Sequence, residues 1–84
     1  MLECMDIIKP NPIKSLEEML INISGEVEDL TSVEIYNTIG KLVRRVPYVN
    51  NSHLLNSDEL LKGTYFVKLY FKDGRVCSDK IILQ

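Results

Sequence analysis

The amino-acid sequence predicts an all-β fold, an immunoglobulin-like β-sandwich of about seven short antiparallel strands. Three observations carry this prediction. Short runs alternate apolar and polar side chains with the period of two that a half-buried strand requires. Gly, Pro, Asn and Asp separate these runs at intervals of roughly 8–12 residues, the spacing of small sandwiches and barrels. No run is read as an amphipathic helix. The chain has 84 residues, room for a single domain, residues 1–84 with a core from about residue 7. A chain of this length buries only roughly 60% of the surface its unfolded form exposes. Nearly every apolar residue is therefore needed inside.

Asp6–Ile8 reads as a short extended piece running into Lys9-Pro10-Asn11-Pro12, where two prolines forbid a helix and impose an extended path. Glu18–Ser24 reads as a strand with Met19, Ile21 and Ile23 on one face, followed by an acidic loop from Gly25 to Thr31. Ser32–Asn37 is the next strand, with Val33 and Ile35 on one face and Glu34 and Tyr36 on the other. Asn37-Thr38-Ile39-Gly40 is a tight turn, and Lys41–Pro47 returns as its partner. Pro47 either ends that strand or marks an edge.

After a polar loop, His53–Asn56 is read as a brief strand and Ser57–Lys62 as one helical turn capped by Ser57 and ended by Gly63. Gly63–Phe71 is the strongest strand, with Tyr65, Val67, Leu69 and Phe71 on one face. Asp73-Gly74 is a hairpin signal, and Arg75–Leu83 is the final strand. The expected buried set is Met19, Ile21, Ile23, Val33, Ile35, Tyr65, Val67 and Leu69. Cys4 and Cys77 form no CxxC pair. They are read first as two independent small apolar residues, the alternative being a disulfide in an oxidising compartment.

Ten Lys and Arg against twelve Asp and Glu leave a net charge of −2. Nucleic-acid affinity rests on clustered cations, and Arg44–Arg45, as strand neighbours, point to opposite faces. No nucleic-acid partner is expected, and no membrane insertion, since no run reaches the ~20 apolar residues of a spanning helix. Met1–Asp6 carries acids where an export leader would carry positive charge and an apolar run. The chain as it stands is read as lacking a signal peptide.

Catalytic groups are scarce. His53 stands alone between polar residues, with no nucleophile in a G-x-S-x-G elbow. Three Cys and His residues, widely separated, fall short of a zinc set. Glu26, Glu28 and Asp29 lack the spacing of a calcium loop. No Gly-rich phosphate loop is present. The sequence therefore predicts a non-enzyme with no catalytic residues, metal or cofactor. Tyr36, Tyr65, Phe66, Tyr70 and Phe71 fall at strand spacing and read as core and cross-strand pairs.

Four motifs occur in a recognisable order: Pro10-Asn11-Pro12; Val33-Glu-Ile-Tyr-Asn-Thr-Ile-Gly40-Lys-Leu-Val43; Leu60-Leu-Lys-Gly63-Thr-Tyr65-Phe-Val-Lys-Leu69; and Asp73-Gly74-Arg-Val with the closing Lys80-Ile81-Ile82-Leu83-Gln84. Together they resemble the type A C-terminal sorting domain of the type IX (Por) secretion system of Bacteroidetes, over about residues 7 to 84. The resemblance implies an immunoglobulin-like sandwich behind an upstream cargo domain. It also implies recognition by the outer-membrane translocation machinery, cutting by a sortase-like peptidase, and cargo that is secreted or displayed on the cell surface. Lys80, Ile81, Ile82, Leu83 and Gln84 are the expected recognition element. Pro10, Asn11, Pro12, Gly40, Gly63, Tyr65, Asp73 and Gly74 are expected to support it structurally. Alternation leaves two settings open: Ile81 and Leu83 inward, or Ile82 inward. Edge strands at Asp6–Ile8 and Lys41–Pro47 are candidates for self-association. An immunoglobulin- or fibronectin-like adhesion or scaffolding module is the alternative function.

Overall fold

The computed structural model describes residues 12–49, 52–53 and 60–84. The element that departs most from the sequence reading comes first. Leu16–Glu26 is an α-helix, α1, and not a strand at Glu18–Ser24. Ser15 is its N-cap, in extended conformation, with its hydroxyl accepting the Glu18 backbone N–H at 3.1 Å. Glu17 and Glu18 lie in the first turn, where carboxylates meet the positive end of the helix dipole. Leu16, Met19, Leu20 and Ile23 follow the i, i+3, i+4, i+7 spacing of one helical stripe, and all four are buried. A strand would bury Ile21 and expose Leu20. Instead Leu20 is 0% exposed and Ile21 56%. The helix continues through Gly25, so the expected acidic loop shortens. It closes with the Val27 N–H donating to the Ile23 carbonyl at 3.0 Å.

The strands are β1 (Leu30–Tyr36), β2 (Leu42–Val49), β3 (Ser52–His53), β4 (Gly63–Phe71) and β5 (Val76–Leu83). They form one sheet in the order β3-β2-β1-β4-β5, with every neighbouring pair of strands antiparallel. Its body is the four-strand sheet β2-β1-β4-β5, to which the two-residue β3 adds an edge. The fold is therefore mostly β, but among the described residues it is one sheet with a helix on one face. Those residues do not show a pair of sheets with about seven strands, and the segment read as a strand at Glu18–Ser24 is helical. His53 lies in β3, and the helical turn expected at Ser57–Lys62 falls largely outside the described residues.

β1 is central, pairing Val33 with Val46 on β2 and with Leu69 on β4. The alternation expected for β1, β4 and β5 holds. Val33, Ile35, Val67, Leu69, Phe71, Cys77, Ile81 and Leu83 face inward and are buried. They meet Met19, Leu20 and Ile23 of α1, and the Tyr48 hydroxyl donates to the Leu20 carbonyl at 3.3 Å. Tyr65, expected inside, is half-buried and packs against this cluster. Cys77 is not an independent apolar residue: it is buried and in a disulfide. Cys4, the chain's other cysteine, lies outside the described residues.

Both hairpins use the same loop. The N–H of Asn37 donates to the Lys41 carbonyl (2.9 Å), and the N–H of Gly40 to the Asn37 carbonyl (3.0 Å). The N–H of Phe71 donates to the Arg75 carbonyl (3.0 Å), and the N–H of Gly74 to the Phe71 carbonyl (3.1 Å). This is the three-residue loop whose last residue is left-handed, with Gly40 at φ +86 and Gly74 at φ +94. Side-chain oxygens pin both loops. Asn37 Oδ1 accepts from the Ile39 and Lys41 N–H groups, and Asp73 Oδ1 from that of Arg75.

β2 runs past Pro47 to Val49, so Pro47 marks an edge and does not end the strand. Along Leu42–Pro47 the outer side of β2 carries no strand among the described residues. The other edge candidate, Asp6–Ile8, lies outside them.

Candidate functional site

The residues expected to carry recognition lie on β5, and three of the sequence motifs converge there. On one side, β4 pairs Gly63 with Leu83, Thr64 with Ile82, Tyr65 with Ile81 and Phe66 with Lys80. On the other side, Ile13 makes a parallel bridge to Leu83. Its N–H donates to the Ile82 carbonyl at 2.8 Å, and its carbonyl accepts the Gln84 N–H at 2.9 Å. Ile13 directly follows Pro12, which is exposed; Pro10 and Asn11 lie outside the described residues. The terminal strand is thus held between the residue after the proline motif and the Gly63–Tyr65 motif.

The two settings left open by alternation resolve. Ile81 and Leu83 are buried, while Lys80, Ile82 and Gln84 are exposed. Tyr65 fixes the approach to β4, since its hydroxyl donates to the Leu61 carbonyl at 2.6 Å and Leu60 packs against the core. That hydrogen bond gives a physical role to the Leu-x-x-Gly-x-Tyr spacing: the phenol staples the bend that precedes the strand.

The Gly40 turn lies at the same end of the sheet, because Tyr36 pairs with Phe66 and with Leu42. Asp73 and Gly74 lie at the opposite end of β4 and β5, roughly 25 Å away at 3.3 Å per strand residue. There the Asp73 carboxylate binds the Arg75 side chain at 2.6 Å. Its pKa is held below the ordinary value, first by the Arg75 backbone N–H. Asp73 and Gly74 are therefore remote from the terminal residues and shape the far turn.

The face of the sheet away from α1 carries a feature that sequence reasoning missed. Glu34 accepts a hydrogen bond from the Tyr36 hydroxyl at 2.6 Å, and Arg45 stands 3.7 Å from the same carboxylate. Lys68 lies over the Tyr36 ring, 5.2 Å from its centroid. The Tyr36 and Tyr70 hydroxyls hold the Glu34 carboxyl below its ordinary value of 4.5, with Arg45 and Lys68 adding to the effect. Both phenols are pushed up in turn, chiefly by Glu34. The available signal was the register itself: Glu34, Tyr36, Lys68 and Tyr70 share the non-core alternation.

A carboxylate with a lowered folded-state pKa stabilises the fold above its unfolded value, and that contribution is lost as pH falls through the folded value. Glu34→Gln is therefore expected to lower stability at pH 7 by about 1 kcal/mol, allowing for solvent screening of a surface group. The gap to the parent should close as pH drops below about 4.5. Thermal melts from pH 7 to pH 3 check this, and a gap that stays constant across the range would refute it.

No helix among the described residues is long and apolar enough to cross a membrane. No solved structure matches this chain. The chain is 29% identical over 83 residues to beta-agarase A of Zobellia galactanivorans. The alignment covers 99% of this chain and 14% of that protein, so the chain spans about a seventh of its relative's length. The profile described as "Secretion system C-terminal sorting domain" matches residues 8–84, nearly the whole chain and all four sequence motifs. That family is a sorting signal and not a catalytic domain. The chain belongs to the secretion system C-terminal sorting domain family.

Proposed function

We propose that this chain is the sorting and anchoring signal of a larger exported protein, directing an upstream cargo through the type IX machinery to the cell surface or beyond. The observation that carries the reading is the family match across residues 8–84. In this reading Lys80–Gln84 is the element the translocation machinery reads, and a sortase-like peptidase separates the signal from its cargo. Gly63, Tyr65 and the bridge from Ile13 hold that element in place, while Gly40 shapes the turn between β1 and β2 and Asp73 and Gly74 set the far turn. The burial pattern supports a division of labour within the strand. Ile81 and Leu83 secure it to the core, and Lys80, Ile82 and Gln84 face outward.

The test is a reporter sent to the periplasm and fused in front of this chain, in a host with type IX secretion. The parent is expected to reach the cell surface. Lys80→Ala and Ile82→Ser change exposed side chains, so each should keep the parental melting temperature. Each should lower surface delivery roughly tenfold, the effect of losing about 1.4 kcal/mol of binding. Removing Leu83-Gln84 is a harsher change, because it deletes a buried leucine and the bridge to Ile13. If the parent stays in the periplasm, or well-folded variants are delivered as efficiently as the parent, the sorting reading is wrong. The adhesion-module reading then replaces it.

A further inference from the structure

Five large apolar side chains are exposed at one end of the sheet. Ile39 is in the β1–β2 turn, Leu42 starts β2, Leu61 precedes β4, Phe66 is on β4 and Ile82 on β5. The register brings them together. Leu42 pairs with Tyr36, Tyr36 with Phe66, Phe66 with Lys80, and Thr64 beside Phe66 with Ile82. Each has a lysine close by in the register: Lys41 between Ile39 and Leu42, Lys62 next to Leu61, Lys68 two residues along the same face from Phe66, and Lys80 likewise from Ile82.

The described segments that build this end, residues 35–43, 60–68 and 80–84, contain no Asp or Glu, on a chain whose net charge is −2. The Glu34 carboxylate lies on the same face, opposite Lys68 in the register, and is already engaged by Tyr36 and Arg45. The patch is therefore an apolar centre set in positive charge on an otherwise acidic molecule.

We propose that this patch docks a protein partner whose surface presents carboxylates around apolar side chains. An apolar core with a charged rim is the anatomy of a protein interface, and the sign of the rim selects an acidic partner. Aliphatic Ile39, Leu42, Leu61 and Ile82 give little to a polysaccharide, which lacks comparable apolar area. A lipid surface needs side chains that reach past the headgroups. Ile39 and Leu61, 85% and 84% exposed, stand at the margin of the patch, but Leu42, Phe66 and Ile82, at 43%, 43% and 40%, keep more than half of their surface covered, so the centre of the patch is a face and not an inserting wedge. The proposal rests on the sorting reading in naming the setting of this contact, and it deepens that reading by giving the partner's chemistry.

The test places a benzophenone amino acid at position 66, and as a control at position 21 on the far side of α1, in the reporter fusion in the same host. Illumination is expected to yield a discrete protein adduct at position 66 and none at position 21. The cross-linked partner peptide should be rich in Asp and Glu. Lys41→Glu with Lys62→Glu, both at exposed side chains, should cut the adduct roughly tenfold without changing the melting temperature. No adduct at position 66, equal adducts at both positions, a polysaccharide smear or a lipid product would each overturn the proposal. The two readings fail separately. A reporter exported without the position-66 adduct removes the docking patch and leaves the sorting signal. The adduct on a reporter that stays in the periplasm removes the sorting signal and leaves the patch.

Discussion

Leu69→Ala is expected to lower the unfolding free energy by roughly 2–5 kcal/mol, the range for truncating a leucine in a core that cannot fully collapse. Leu69 is completely buried on β4, between Val33 of β1 and Cys77 of β5, and belongs to the cluster beneath α1. Strands on both sides prevent the backbone from closing on the cavity. At roughly 0.05–0.15 kcal/mol per residue, a chain of this length has on the order of 4–13 kcal/mol in all. The substitution therefore removes a large share and moves the melting temperature by on the order of 10–30 °C. Ile39→Ala, at a side chain 85% exposed, should leave the melt where it is. Calorimetry or thermal circular dichroism decides the matter. Equal melting temperatures for the two variants would mean that the core has been placed wrongly.

Reduction of the disulfide at Cys77 is the second large effect. A cross-link within a small domain stabilises it by about 2–4 kcal/mol, mainly by restricting the unfolded chain. Cys77 lies in β5 directly opposite Leu69, so the cross-link acts on the strand that carries the proposed recognition element. Denaturant melts with and without reductant should differ by that amount, and Cys77→Ala should behave like the reduced parent. A thiol that reacts in the denatured, unreduced protein would rule the cross-link out.

The parts of the fold that were legible in the sequence are those whose signals are local. Asn37–Gly40 and Asp73-Gly74 carry their turn chemistry within a few residues, and the strands flanking them alternate cleanly, so both hairpins and their inward faces can be read directly. Leu16–Glu26 was harder, because Met19, Ile21 and Ile23 fit a strand while Leu16, Met19, Leu20 and Ile23 fit a helix. The deciding signal lies just upstream. Ser15 followed three residues later by Glu18 is the start of a capping box, and counting from Leu16 exposes the helical stripe. Asn22 and Gly25 are weak helix formers, so burial of that stripe against the sheet outweighs local propensity.

At the candidate site, the bridge from Ile13 and the pairing of β1 with β4, which brings the Gly40 turn to the Gly63 end of the sheet, were not legible. Both depend on which strands become neighbours, and the chain does not state this locally. Phe66 reads as one more aromatic until the register shows it facing outward beside Lys80.

The bridge between Ile13 and Leu83 also fixes when the molecule can be finished. β5 reaches β4 across a three-residue loop, whereas the two halves of the bridge lie far apart in the sequence. Closing so long a loop is slow compared with forming either hairpin. The bridge is therefore expected to close after both hairpins, and a chain lacking Leu83 can form its first hairpin yet never seat Ile13 against β5.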